Sequence, residues 1–124
     1  MQMREEKVTI KVAMRPVAWQ RSGGFGKRRF MAKESRMFRH AFQTLLIAEM
    51  VKRGPFTWPI FEDGADLEVS ITAGPTRGDR DNVEKAILDA CNGYLWADDK
   101  QVIDGPTRVY RKGEPSIEIS VRRA

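Results

Sequence analysis

Asp79, Asp81, Asp98 and Asp99, with Asn82 and Lys85, fall in two short runs. The first is Gly78-Asp79-Arg80-Asp81-Asn82-Val83-Glu84-Lys85 and the second is Trp96-Ala97-Asp98-Asp99-Lys100-Gln101. Asp79 and Asp81 stand at i and i+2, and Lys85 follows Asp81 by one helical turn. Carboxylate oxygens are hard donors, suited to Mg²⁺ or Mn²⁺. Like charges this close repel unless a cation sits among them, so the spacing points to a divalent ion. Such an ion activates a water and neutralises charge on a phosphorane. Lys85 would then hold the scissile phosphate or stabilise the leaving oxygen. The chemistry expected is phosphodiester hydrolysis.

Simpler readings compete. Asp79 or Asp81 could cap a helix, and Asp98-Asp99 could be a polar turn after Trp96. Together these leave Asn82 and Lys85 unexplained. A calcium loop counted from Asp79 puts Glu84 where glycine belongs and Ala90 where the bidentate acid belongs, so the spacing rejects it. A glycosidase carboxylate pair is not excluded by spacing.

The rest of the charge pattern weighs against that last reading. Arg15, Arg21, Lys27, Arg28, Arg29, Lys33, Arg36 and Arg39 meet only Glu34 across residues 15–39, a net +7, while the remainder of this +5 chain is −2. Alone, such a run reads equally as a solvated face. Beside the acidic motif it reads as a surface for a polyanion, nucleic acid first, and an odd companion for neutral sugars. Arg15, Arg21, Lys27, Arg28, Arg29 and Lys33 are the candidate DNA-binding residues. Trp19, Phe25 and Phe30 interleave with them, as base-stacking side chains or as loop anchors. The glycines of Ser22-Gly23-Gly24-Phe25-Gly26 do not make a phosphate loop, because Arg28 stands where Ser or Thr is needed.

A chain of 124 residues, 41% hydrophobic and 31% charged, is expected to form one domain, 1–124, with a core that needs no disulfide. Cys91 is the only cysteine and fits a reducing, cytoplasmic setting. The start, Met1 to Glu6, is too polar for a signal peptide, and no run is long and apolar enough for a bilayer. No membrane partner is expected. His40 has no second histidine to complete a metal set and is left out of the site.

The elements that must position these residues follow from periodicity. Lys7–Met14 and Asp66–Ala73 alternate as half-buried strands. Glu34 or Ser35 to Lys52 reads as a helix with an apolar stripe of Phe38, Ala41, Phe42, Leu45, Leu46 and Ala48, Ser35 as N-cap, and Gly54-Pro55 as its stop. Phe56, Trp58, Ile60 and Phe61 are expected over the core's edge. Asp81 or Asn82 to Asn92 reads as a second helix. Its core arc is Val83, Ala86, Ile87, Ala90 and Cys91, and Asp81, Lys85, Asp89 and Asn92 fall on the opposite arc. Val102-Ile103 reads as a short strand, and Arg108–Lys112 with Ser116–Arg122 as a hairpin. The order β-(basic loop)-α-β-α-β-β predicts a single α/β (α+β) domain with a mixed sheet and two main helices.

The run from Asp79 to Ala90, then Asn92-Gly93 and Trp96 to Val102, resembles the RusA-type Holliday junction resolvases, or crossover junction endodeoxyribonucleases, of bacteria and prophages. The resemblance is specific over about 25 residues and looser along the whole length. It implies a Mg²⁺-dependent homodimer, with Mn²⁺ as a substitute, that makes paired nicks in four-way DNA junctions during recombination and repair. It places the family's catalytic aspartates on Asp79, Asp81 and Asp99 and its catalytic lysine on Lys85. Asp98 is implied as a further metal ligand, and Asp98 and Asp89 match family positions with supporting roles. A non-catalytic DNA-binding module of the same fold, or a nuclease for other branched DNA, are the alternatives.

Overall fold

A computed structural model describes residues 7–18, 33–54 and 59–124. The elements run β1 (Lys7–Val12), α1 (Lys33–Arg53), β2 (Leu67–Gly74), α2 (Arg80–Cys91), a 3₁₀ turn (Asp99–Gln101), β3 (Val102–Asp104), β4 (Thr107–Val109) and β5 (Ser116–Arg123). They form one mixed sheet in the order β1-β5-β2-β3, with β4 also on β2. β5 is antiparallel to both β1 and β2, whereas β3 and β4 run parallel to β2. This is the α+β architecture expected. Trp19, Phe25, Phe30, Phe56 and Trp58 lie outside the described residues.

Strand alternation does what period-two patterning demands. Val8, Ile10 and Val12 of β1, Leu67, Val69, Ile71 and Ala73 of β2, and Ile117, Ile119 and Val121 of β5 are all buried, and they share one core with residues of both helices. The opposite sheet face is polar, and on it Thr9 and Ser120 hydroxyls bond each other at 2.8 Å. Each large aliphatic residue so buried contributes about 1.5–3 kcal/mol. α2 buries Val83, Ala86, Ile87, Ala90 and Cys91, the arc its periodicity predicts. Phe61 is fully buried and bridges to Trp96.

Two expectations need correcting. The residues around Gly113 do not make a hairpin. β4 pairs with β2, while β5 lies on the other side of β2. The link between them therefore crosses the end of β2, where Tyr110 caps it: its N–H reaches Ala73 O at 3.1 Å and its carbonyl accepts Thr76 N–H at 3.1 Å. β5 instead lies between β1 and β2, with an antiparallel ladder on each edge. The stripe of α1 is also narrower than expected. Phe38, Phe42, Leu46 and Met50 are buried, but Ala41, Leu45 and Ala48 are exposed. Ser35 is buried within the helix, which begins at Lys33, so it is not the N-cap.

Candidate active site

Asp79 is the N-cap residue of α2, with φ −65° and ψ 140°, and its carbonyl accepts the Val83 N–H at 3.0 Å. Its carboxylate makes no capping hydrogen bond. Simple capping therefore does not explain Asp79. Its charge still sits at the helix end that favours anions, with its oxygens available to another partner.

The loop before Asp79 is held from several sides. The Arg111 guanidinium donates to Thr76 O at 2.6 Å and to Gly78 O at 3.2 Å. The Gly78 N–H donates to Thr76 Oγ1 at 3.0 Å. Gly74 is pressed against Tyr110 so closely that a Cβ there would come within 2.6 Å of the Tyr110 carbonyl. A Cβ on Gly78 would meet that of Ala18 at 2.5 Å. Sequence reading missed Arg111, because its partners are carbonyls more than thirty residues away and leave no trace in local pattern.

Along α2, Asp81 projects into solvent with 92% of its side chain exposed, and it pairs with Arg80 at 3.9 Å. Lys85 follows one turn later and is also exposed. Between them and the sheet, Glu84 accepts a short hydrogen bond from the Thr107 hydroxyl of β4. That contact fixes the rotation of α2, which keeps Asp81 and Lys85 outward.

The second acidic pair lies at the other end of the helix. Asp98 caps the 3₁₀ turn, accepting from the Lys100 N–H at 2.9 Å. The turn reading of Asp98 is thus correct, and its carboxylate has a structural duty. Asp99 is half-buried, and its carboxyl is raised above the usual range, first by burial and then by the hydrogen bond and charge of Asp98. A hydrogen bond from Asn92 opposes the shift, and the charge of Asp89 adds to it. Asp89 in turn pairs with Arg39 at 3.5 Å, and Asn92 Oδ1 accepts from Trp96 Nε1 at 2.9 Å. The whole turn hangs on Gln101, which is buried. Its oxygen accepts from the Ala97 and Asp98 N–H groups, and its amide donates to Phe61 O and Ala65 O.

The family model for endodeoxyribonuclease RusA matches residues 9–122. The chain belongs to that family. No curated protein sequence matches it. Membership assigns the chain to an endodeoxyribonuclease class and leaves its site to be read from its own residues.

In this RusA-family chain the expected site residues divide into two groups. Asp79, Asp81 and Lys85 share the N-terminal half of α2. Asp98 and Asp99 join Asp89 and Asn92 at its C-terminal half. Asp81 and Asp89 are separated by about 12 Å along the axis at 1.5 Å per residue. Among the described residues, no three His, Cys, Asp or Glu side chains gather closely enough to cage a metal. Mg²⁺ usually takes one or two carboxylates and completes its shell with water and substrate phosphate, and the uncapped Asp79 with exposed Asp81 fits that mode. Of the basic candidates, Arg15 and Lys33 are exposed. Arg21, Lys27, Arg28 and Arg29 lie outside the described residues. Arg77, Arg80 and Arg111 add exposed cations beside Asp79 that the basic-run argument did not include. Among the described residues no helix is long and apolar enough to cross a membrane.

Proposed function

We propose that this chain is a structure-selective endodeoxyribonuclease that resolves four-way DNA junctions by paired phosphodiester hydrolysis, as a homodimer in the cytoplasm. The observation that carries the reading is the N-terminal half of α2, where the Asp79 carboxylate is uncommitted to capping and Asp81 and Lys85 face outward from a pinned helix. Family membership supports the reaction class.

Asp79 and Asp81 are the residues that would hold Mg²⁺, or Mn²⁺ in its place, and the ion would supply charge neutralisation at the phosphate. Lys85 faces the same phosphate and stabilises the leaving oxygen. Arg111 keeps the backbone before Asp79 in register, so the carboxylate need not reorganise when DNA arrives. Asp99 serves as the third catalytic carboxylate, and Asp98 holds its turn. Arg15, Lys33 and the basic run between them contact flanking phosphates.

The test is cleavage of labelled four-way junction, flap and duplex DNA, each with EDTA, Mg²⁺ or Mn²⁺. Junction cleavage with a divalent ion is expected. Asp81→Asn should abolish it while leaving folding and junction binding nearly intact, and Lys85→Ala should impair cleavage more than binding. Wild-type rates from Asp81→Asn would overturn the site. Salt-dependent binding without product in any ion would make the chain a DNA-binding module, and preference for flap would make it a nuclease for other branched DNA.

A further inference from the structure

Asp99 has two acids for company, Asp98 beside it and Asp89 on α2, and its carboxylate accepts a hydrogen bond from the Asn92 side chain. The other end of Asn92 decides which of its atoms makes that bond. The Trp96 indole is fully buried, and its Nε1–H donates to Asn92 Oδ1 at 2.9 Å. An indole N–H can only donate, and an ionised carboxylate can only accept. A flipped Asn92 amide would set donor against donor at Trp96 and acceptor against acceptor at Asp99. The amide therefore has one orientation, with its NH₂ group toward Asp99.

The relay is anchored in the fold. Asn92 and Trp96 are joined by a backbone bridge, and Trp96 is bridged in turn to buried Phe61. The Asn92 N–H donates to Asp89 O at 3.3 Å, where α2 ends. Gly93, at φ +86°, turns the chain, and its N–H donates to Trp96 O at 2.7 Å. The N–H groups of Tyr94 and Leu95 both return to Cys91 O at 3.0 Å. The segment 92–96 is thus closed on itself, and a line of contacts runs from the core through Trp96 and Asn92 to Asp99.

We propose that Asn92 is a positioning residue of the nuclease: oriented by the Trp96 indole, its amide aims the Asp99 carboxylate. The proposal rests on the reading of Asp99 as a catalytic carboxylate. A simpler role, pairing a buried indole and ending α2, needs only the Asn92 oxygen and backbone. The NH₂ group is left over by that role, and it bonds Asp99. Asn92 has no contact with DNA in this scheme, so its effect falls on the rate constant rather than on binding.

Two measurements on the full chain test it. The first is four-way junction cleavage in Mg²⁺. Asn92→Asp keeps an acceptor for the indole but removes the NH₂ donor, and Asn92→Ala removes the donor without adding charge. Each should lower kcat on the order of 10–100-fold with KM within about twofold of wild type. The second is ¹H–¹⁵N NMR in EDTA. Asp99→Ala should shift the Asn92 side-chain amide protons. The Trp96 indole N–H should exchange slowly in wild type and Asn92→Asp, and faster in Asn92→Ala. Asn92 amide signals indifferent to Asp99→Ala overturn the proposal, as does wild-type kcat in both Asn92 variants while Asp99→Asn is inactive. Wild-type cleavage by Asp99→Asn instead removes the catalytic reading of Asp99, and the spectra still decide whether Asn92 holds it.

Discussion

Gln101→Ala removes one side chain that joins two separated pieces of backbone. Four hydrogen bonds go with it: Ala97 N–H at 3.0 Å, Asp98 N–H at 3.2 Å, Phe61 O at 3.3 Å and Ala65 O at 3.0 Å. At about 0.5–1.5 kcal/mol net per bond, and with water relieving the partly buried partners, the loss should be about 2–4 kcal/mol. The Phe61–Ala65 side remains tied by backbone bonds to Tyr94 and Leu95 and by Arg123 to Asp63. The released side is therefore the turn carrying Asp98 and Asp99. Urea denaturation in EDTA, followed by circular dichroism, measures the stability term. Cleavage of a four-way junction at a temperature where the variant is folded measures the positional term, expected to fall at least ~10-fold. Gln101→Glu should not rescue, because a carboxylate cannot donate to the two carbonyls. A loss below about 1 kcal/mol with normal cleavage would refute the claim that Gln101 organises this turn.

Arg111→Ala should lower the cleavage rate constant about 10-fold with little change in KM; the side chain is exposed, so unfolding free energy should stay within about 1 kcal/mol. An unchanged rate constant would remove Arg111 from the positioning role. Gly105→Ala should cost at least about 3 kcal/mol, because φ is +135° and the new Cβ would fall 1.7 Å from Val69 O; a denaturation midpoint near wild type would contradict the close approach of β3–β4 to β2. Asp99, held above its ordinary range, binds its proton more readily when folded than when unfolded, so its stabilising contribution is present at acid pH and is lost as pH rises through the folded value. Asp98→Asn keeps a capping oxygen but deletes the neighbouring charge, and urea melts of metal-free protein from acid to neutral pH should show a smaller loss than wild type.

Much of this was legible along the chain because it depends on local periodicity. The inward residues of β1, β2 and β5 and the core arc of α2 follow from spacings of two and of 3.6 residues, which the backbone imposes wherever one face meets a core. The acidic spacing around α2 was equally visible. The stripe of α1 was drawn too wide, because hydrophobicity alone cannot separate a residue that faces the core from one that faces outward. Leu45 and Ala48 are of that second kind.

What only the tertiary structure decided concerns pairs far apart in sequence. No local signal says that β5 inserts between β1 and β2, or that Tyr110 and Arg111 return to clasp the loop before Asp79. None says that Gln101 reaches Phe61 and Ala65. Nor does composition reveal that Asp79 leaves its cap unmade, or that Asp99 meets Asn92 and Asp89 of α2. Residue types and spacings determine which groups can do chemistry, since those are properties of single side chains and single elements. Which of them meet is set by how the sheet closes over its core, and that is a property of the whole chain.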